Sequence, residues 1–341
     1  MKAVPLASVS LVAAFLMAPE TRTLGQIERV DARLDALVPP GTKMEIIADG
    51  LDWSEGPVWV KDGGYLLFSD IPPNHIMKWA PGRGVSVYLE KSGYGGPIPR
   101  PNAIPPDEPG SNALIVDPRG RLVLCQHGNR QVARMDAPLS DPKPKYVTVA
   151  DRYAGKRLNS PNDGAYHPDG SLYFTDPPYG LTRKMEDPAK ELDFQGVYRV
   201  TPDGTVILLT KELSRPNGIA FSPDHKTLYV ANSDPQRAVW MAYDVKPDGS
   251  IANGRVFFDA TRWVASRKGL PDGMKVDRQG NLFATGPGGV LVFDQGGHHL
   301  GTLATGEATS NCAFGEDGST LFVTADMYVL RVRLATRGAA Y

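Results

Sequence analysis

Short runs in which apolar and polar residues alternate occur in pairs along the chain, and a turn rich in Asp, Pro and Gly joins each pair. Between residues 216 and 232, the run IAF is followed by a Ser-Pro-Asp turn and then by the run TLYV. Period-two alternation on both sides of a turn predicts a β-hairpin. The Pro-Asn-Gly sequence before the first run suits another turn, because Asn and Gly tolerate left-handed backbone.

The same hairpin recurs along the chain in six copies. They begin with EGPVW at 55, SNALIV at 111, PNDGAY at 161, PNGIAF at 216, PDGMKV at 271 and SNCAF at 310. Two further strand-like runs lie between copies, for example GVYRVTP and TVILLT, so that each unit has four strands. Such units, with no helical period between them, predict an all-β fold: a six-bladed β-propeller with four antiparallel strands per blade.

The two ends of the repeat array predict how the ring closes. Only one strand-like run, MYVLRVRL, follows the sixth copy, so its blade lacks an outer strand. The run MEIIADG before the first copy can supply that strand and close the last blade. A proline-rich insert at residues 92–110 is expected to be a surface loop. We therefore predict one propeller domain over residues 27–341.

The first residues resemble a secretory signal. Lys2 is followed by an apolar run to about residue 18, which is too short to span a bilayer. Residues 1–26 are therefore predicted to be a signal peptide, which implies a periplasmic or secreted protein without stable membrane insertion. A buried or membrane-lying helix is the alternative.

Charge and cysteine content narrow the range of partners. Thirty-seven basic and 38 acidic residues give a net charge of -1 without a basic block, so nothing favours nucleic acid. A small neutral or weakly charged ligand fits this balance better. Cys125 and Cys312 are too few for a disulfide scaffold and fall in blades two and six, which are not neighbours. Both are expected to be free thiols.

Polar residues are predicted to gather at one mouth of the propeller channel. In each blade, the start of the inner strand and the end of the second strand should meet there. The inner strands begin at oxygen-bearing residues: Glu55, Asn112, Asn162, Asn217, Asp272 and Asn311. The second strands end near Asp70, His127, Asp176, Asn232 and Asp326.

These six oxygen-bearing positions suggest a cation site. Turn chemistry explains an Asn before a Gly, but not an oxygen at the equivalent position of six blades, one of which has Glu55. Calcium accepts mixed carboxylate and amide oxygens, whereas zinc would require His or Cys, which the inner-strand ring lacks. Glu55 and Asp272 together would neutralise a divalent charge. A hydrogen-bonded polar plug is the alternative.

Four motifs resemble the SMP-30/gluconolactonase, or regucalcin-like, family of six-bladed calcium-dependent lactonases. They are EGPVW, SPNDGAYHPDGSLYFTDP, RPNGIAFSPD and LPDGMKVD, and they occur in the order found in that family. The resemblance covers about residues 43 to 334.

The resemblance implies a divalent cation, most often calcium, with a lactone bound above it. The implied metal ligands are Glu55, Asn162, Asn217 and Asp272. Asp272 also takes the implied role of base or nucleophile. The segment around His127 resembles the bacterial gluconolactonases, and Asn159 stands where animal members have an arginine, so the sugar lactone recognised can differ from theirs.

The predicted reaction is hydrolysis of a lactone, in particular a sugar lactone such as gluconolactone. A bound cation would polarise the carbonyl and stabilise the oxyanion, while Asp272 takes the proton of the attacking water. Predicted substrate-binding residues are Asn112, His127, Asn159 and Asp163; His127 and Asp163 are also second candidates for handling the proton. No GxSxG motif is present. The alternatives are an organophosphate-type ester hydrolase on the same ring, and a non-catalytic propeller that binds sugar or protein with structural calcium.

Overall fold

The computed structural model describes residues 21–339, which form 27 β-strands and three 3₁₀ helices. The strands are β1 (Gln26–Arg29), β2 (Met44–Ala48), β3 (Ser54–Val60), β4 (Tyr65–Asp70), β5 (His75–Ala80), β6 (Gly84–Glu90), β7 (Ser111–Val116), β8 (Leu122–Gln126), β9 (Gln131–Met135), β10 (Tyr146–Ala150), β11 (Arg152–Tyr153), β12 (Lys156–Arg157), β13 (Gly164–Tyr166), β14 (Leu172–Asp176), β15 (Gly196–Val200), β16 (Val206–Thr210), β17 (Pro216–Phe221), β18 (Thr227–Asp234), β19 (Arg237–Val245), β20 (Ile251–Asp259), β21 (Met274–Val276), β22 (Leu282–Gly286), β23 (Gly289–Phe293), β24 (His299–Ala304), β25 (Thr309–Gly315), β26 (Thr320–Ala325) and β27 (Tyr328–Arg333). The 3₁₀ helices are Ala32–Ala36, Lys184–Glu186 and Thr261–Trp263.

Six antiparallel sheets form the predicted six-bladed propeller. Blades one to four are β3 to β6, β7 to β10, β13 to β16 and β17 to β20, each numbered from the channel outwards. Blade five is β21 to β24, and blade six is β25 to β27. The inner strands contact one another in chain order, and β25 contacts β3, so the ring is closed. The prediction of fold class is confirmed.

The closing strand is also where the sequence predicted it. Strand β2 pairs with β27, with Met44 opposite Val332, and so becomes the outer strand of blade six. A second N-terminal strand was not predicted: β1 adds a fifth strand to blade five by pairing with β24. Leu34, Leu37 and Val38, which follow β1, pack into the hydrophobic cluster between blades five and six. The N-terminal segment therefore joins the last two blades in two places.

The core lies between neighbouring blades rather than at the channel. Phe68 and Trp79 of blade one pack with Phe322 of blade six, for example, and Phe174 and Tyr198 stack within the cluster between blades two and three. Because alternate residues of each strand face the two neighbouring blades, both faces of a sheet are apolar. Cys125 and Cys312 are buried in two of these clusters as free thiols, as expected.

Two further predictions concern the N-terminus. Residues 1–20 of the predicted leader lie outside the described residues, and Gln26, its last residue, begins β1. The signal peptide stays a prediction. Within residues 21–339, no helix has the length and apolar character that a membrane span requires.

Candidate functional site

The inner strands converge so closely at one end of the channel that glycine is needed beside the ring residues. The sequence Pro-Asn-Gly at 216–218 is part of strand β17 rather than the turn that its residue types suggest. A Cβ on Gly218 would lie 2.1 Å from the carbonyl oxygen of Asp272 in the next blade. Gly56, whose φ is +52°, meets the carbonyl oxygen of Asn112 at the same distance. The glycine therefore permits close approach of neighbouring inner strands.

The pairing of the inner strands is irregular where they carry the ring residues. The register shifts between Glu55 and Val58 in β3, and between Pro216 and Ile219 in β17. A β-bulge leaves a residue without a regular partner and re-aims its side chain. Asn217 lies within the irregular stretch of β17, and Glu55 lies directly before that of β3, where it still pairs with Ser69.

Hydroxyl groups on the second strands lock the ring residues of the next blade in place. Ser69 Oγ donates to the carbonyl of Asn112 at 2.8 Å, and Thr175 Oγ1 donates to that of Asn217 at 2.6 Å. The hydroxyl of Ser233 donates to the carbonyl of Pro271, beside Asp272. These interblade hydrogen bonds fix the backbone of the site on rigid strands instead of loops.

Three of the residues at the ends of the second strands bind backbone amides. Asp176 accepts hydrogen bonds from the backbone amides of Asn159 and Ser160, at 2.7 and 2.8 Å. Asp70 accepts from the amides of residues 52 and 53 in the same way, and Asn232 Oδ1 accepts from the amide of residue 215 at 2.8 Å. They therefore hold the chain that leads into their own inner strand.

Four ring residues, in contrast, present a buried oxygen that has no hydrogen-bond partner within the described chain. These oxygens belong to Asn112, Asn162, Asn217 and Asp272. The amide nitrogen of Asn217 donates to Ser233 Oγ at 2.9 Å, which orients its oxygen towards the channel. Buried polar atoms are almost always paired, so four such oxygens in one ring indicate that a ligand supplies the missing partner.

Glu55 and Asn311 complete the ring as a pair. Asn311 Nδ2 donates to Glu55 Oε2 at 3.2 Å, and the amide of Gly56 donates to the same oxygen. The oxygen of Asn311 accepts from the amide of Cys312 at 2.8 Å, so it is already occupied. Asn311 therefore supports Glu55, and the ring offers one carboxylate from blade one and one from blade five.

The electrostatics of the ring favour a positively charged ligand. Burial, followed by the nearby charge of Asp163, raises the pKa of Glu55 to about 8. Burial and then the charges of Glu55 and Asp163 raise the pKa of Asp272 well above its ordinary value. A divalent cation would relieve this repulsion and accept the unpaired amide oxygens. In residues 21–339 no three His, Cys, Asp or Glu side chains form a metal cluster, so amide oxygens would have to contribute.

A cavity of about 490 Å³ opens above the ring. Its floor includes Glu55, Asn112, Asn162, Asn217 and Asp272. Two long connections, residues 91–110 and 177–195, form part of its wall and are called the mouth loops here. They contribute Glu108 and Tyr179. The cavity has the size of a small-molecule site, with polar groups concentrated at its floor.

Only one of the four predicted substrate-binding residues lines this cavity. Asn112 does, whereas Asp163 lines a second cavity further along the channel, on the other side of the ring. Asn159 is fully buried, and its amide nitrogen donates to the carbonyls of Asp176 and Phe194, at 3.1 and 3.0 Å. Asn159 thus ties a mouth loop to blade three.

His127 is fully buried behind the cavity. Neither ring nitrogen has a hydrogen-bond partner, and its Nδ1 lies 3.8 Å from Glu108 Oε2. Burial, together with the charges of Lys184 and Arg100, lowers the pKa of His127 to about 3. The imidazole is therefore neutral at ordinary pH.

Sequence reasoning missed the residues that the mouth loops and the connection before blade five bring to the cavity. Glu108, Tyr179, Arg267 and Lys268 are the polar ones among them. Arg267 is paired with Glu28 at 2.9 Å, and Lys268 with Glu307 at 2.6 Å. None of these residues occupies a repeated position, so the repeated hairpin pattern does not predict them. The one signal in the sequence was the length of the proline-rich insert at residues 92–110, which contains Glu108.

Comparison with known proteins places the chain among lactonases and related propellers. Residues 53–326 match the family model described as the SMP-30/Gluconolactonase/LRE-like region. A gluconolactonase from Zymomonas mobilis is 44% identical over 320 residues, which cover 93% of this chain and 88% of that protein. The solved structure of a gluconolactonase from Xanthomonas campestris matches with a TM-score of 0.76 at 32% identity, covering 93% of this chain and 98% of the other. Diisopropyl-fluorophosphatase from Loligo vulgaris is 26% identical over 301 residues, which cover 82% of this chain and 87% of that protein.

Proposed function

The chain belongs to the SMP-30/gluconolactonase/LRE-like family, and from that premise we propose that it is a lactonase that opens the ring of a sugar lactone such as gluconolactone. The observation that carries the proposal is the set of four unpaired, buried oxygens on the floor of a cavity of about 490 Å³. The 44% identity to a gluconolactonase over nearly the whole chain supports the substrate class.

We propose that Glu55, Asn162, Asn217 and Asp272 hold one divalent cation, most often calcium. The donor set fits: two carboxylates whose pKa values are raised by burial and by nearby negative charge, and two amides with unpaired oxygens. When bound, the cation would polarise the lactone carbonyl and stabilise negative charge on its oxygen.

The protein's own residues have separable roles in this proposal. Asp272 accepts the proton of the attacking water, because it is the ring carboxylate with an unpaired oxygen on the cavity floor. Asn112 binds the substrate from the same floor. His127, Asn159 and Asp163 lie outside the lining of this cavity, so their contribution passes through neighbours. Asn311 positions Glu55.

A second activity has a specific observation in its favour. The relationship to diisopropyl-fluorophosphatase makes a phosphoester or fluorophosphate substrate the alternative for the same ring. A propeller that binds sugar or protein without turnover is the other alternative. Export to the periplasm or the medium is also part of the proposal, and it rests on the apolar run at the N-terminus.

A single panel of substrates separates these possibilities. Chelator-treated and calcium-loaded protein would be given aldonolactones, aliphatic γ- and δ-lactones and diisopropyl fluorophosphate, with the spontaneous rate subtracted. We expect the calcium-loaded protein to hydrolyse aldonolactones fastest and the chelator to abolish turnover reversibly. Faster fluoride release would favour the phosphoester alternative. Calcium binding without any turnover would favour the binding protein, and turnover that resists chelation would contradict the cation.

A further inference from the structure

Glu108 is a carboxylate on the cavity wall that the proposed hydrolysis does not use. It lies on the first mouth loop, outside the repeated strands, and it lines the same cavity as Asp272. Its side chain is 18% exposed. Its Oε1 accepts a hydrogen bond from Lys184 Nζ at 2.7 Å. The other oxygen, Oε2, lies 3.8 Å from His127 Nδ1, which is beyond hydrogen-bond distance.

The two mouth loops hold Glu108 in this position. Lys184, on the second loop, also donates to the carbonyl of Tyr179 at 2.6 Å. On the first loop, Arg100 forms a salt bridge with Asp107 at 2.6 Å and donates to the carbonyl of Gly180 at 2.7 Å. A charged residue whose neighbours are fixed by such contacts is preorganised and loses little freedom when it binds a ligand.

We propose that Glu108 is a specificity-determining residue, whose Oε2 accepts hydrogen bonds from the hydroxyl groups of a polyhydroxylated lactone. This inference rests on the proposed lactonase function and names the group that selects sugar lactones from plain ones. Lys184 is the positioning residue, because it binds the opposite oxygen of the same carboxylate.

The chemistry of the two partners supports this role. An ionised carboxylate only accepts hydrogen bonds, and so do the carbonyl and ring oxygens of a lactone. Hydroxyl groups on the ring are therefore the part of the substrate that can donate to Glu108. A site built to bind a hydroxyl group discriminates strongly against the analogue that lacks it, because its own polar group is then left unpaired.

Two cations near Glu108 favour its charged form against the effect of burial. Burial raises its pKa, and the ammonium of Lys184 opposes that rise. Arg100 also favours the charged form. His127 is the other polar group near Oε2, and because its Nδ1 lies 3.8 Å away, beyond hydrogen-bond distance, that oxygen is available to a ligand.

The test compares two lactones that have the same six-membered ring. D-Glucono-δ-lactone carries hydroxyl groups and δ-valerolactone has none. We expect Glu108→Gln to lower the ratio of kcat/KM for gluconolactone to kcat/KM for valerolactone by about tenfold to a hundredfold, the loss typical of hydrogen bonds to a charged group. Because both values come from one preparation, the ratio does not depend on the fraction of folded enzyme.

Glu186→Gln is the matched control. Glu186 is an exposed carboxylate on the second mouth loop and does not line the cavity, so the ratio should stay at the parent value. Lys184→Met should lower the ratio by less than Glu108→Gln, and Lys184→Arg should restore most of it. Calcium affinity, measured by titration calorimetry, should be unchanged in Glu108→Gln.

The possible outcomes distinguish this inference from the proposed function. If the parent hydrolyses both lactones and Glu108→Gln leaves their ratio unchanged, Glu108 does not determine specificity, although the lactonase proposal stands. An equal fall in both kcat/KM values would also overturn the inference, since it would indicate a general role in catalysis. If the calcium-loaded parent hydrolyses neither lactone, the proposed function itself has failed.

Discussion

The two ends of the channel are built from the same six inner strands but differ in chemistry. At one end lie the first residues of those strands, with four unpaired oxygens and a cavity of about 490 Å³. At the other end, a cavity of about 380 Å³ is lined largely by apolar side chains such as Trp59, Phe221 and Phe314. Backbone bonds from Gly338 to Gly318 and from Ala339 to Val276, at 3.0 and 2.9 Å, bring the chain across this second end.

Cavity volume alone does not identify the site. The volumes of the two cavities are similar, and the second one also has polar groups: Asp163, Lys275 and Asn311 near the ring, and Ser222 and His225 away from it. The difference is in hydrogen-bond satisfaction. Within the described chain, four buried oxygens without partners line the cavity above the ring. The second cavity has one, Asp163 Oδ2, among side chains that are mostly apolar and require no ligand.

The largest effect is expected when a carboxylate of the ring is replaced. A residue of the second cavity serves as the control. Asp272→Asn keeps an oxygen for the cation but removes the proposed base, so kcat for lactone hydrolysis should fall by about 10² to 10⁴ at saturating calcium. Saturating calcium matters because it corrects a loss of metal affinity and leaves a chemical defect in place.

His225→Asn is the control at the second cavity. His225 has a φ of +58°, a conformation that asparagine tolerates, and it lines the second cavity away from the ring. Its kcat should match that of the parent. If Asp272→Asn also retains the parent kcat, Asp272 is a metal ligand only.

A smaller effect is expected when a single amide of the ring is removed. Asn217→Ala should weaken calcium binding by about tenfold to a hundredfold, since it removes one buried oxygen ligand, and lactone hydrolysis should fall with it. Asn112→Ala should instead raise KM for the lactone while leaving calcium affinity close to that of the parent.

Titration calorimetry with calcium measures both variants directly. Asn112 and Asn217 are matched, because both present a buried, unpaired amide oxygen to the same cavity. Equal losses of calcium affinity would contradict the division of the ring into metal ligands and substrate ligands, and would make Asn112 a fifth ligand.

Repetition explains which parts of the molecule the sequence predicted. The hairpin pattern predicted six blades, and its equivalent positions predicted that Glu55, Asn162, Asn217 and Asp272 lie together. The outer strand β2 followed from the missing strand of blade six. All of these are constrained by period-two alternation and by ring closure, which act on every blade alike.

Features that belong to one blade were not predicted. Glu108 and Tyr179 reach the cavity on aperiodic loops that are held by contacts distant in sequence, such as the hydrogen bond from Arg100 to Gly180. Strand β1 adds to an exposed sheet edge, which any short extended segment can do. The sequence predicted that Asp176 lies near the mouth but not that it binds the backbone amides of Asn159 and Ser160, which an Asp at a strand end can do.

The smallest predicted effect concerns His127, which is fully buried beside Glu108. Its pKa in the folded protein is about 3, against 6.5 for an ordinary histidine, and burial is the first cause. Between these values the unfolded chain binds a proton that the folded chain does not, so stability falls as pH decreases through this window. On going from pH 7.5 to pH 5.5, His127 should cost about 1.4 kcal/mol of unfolding free energy.

Denaturant unfolding of the parent and of His127→Gln at the two pH values tests this expectation. The parent should lose about 1.4 kcal/mol more than the variant, because glutamine does not titrate. Carboxylates with raised pKa values, such as Glu55, contribute in the opposite direction, but equally in both proteins, so their contribution cancels in the difference. If the two proteins show the same pH dependence, His127 is not held neutral by burial, and it becomes a candidate for proton transfer in place of Asp272.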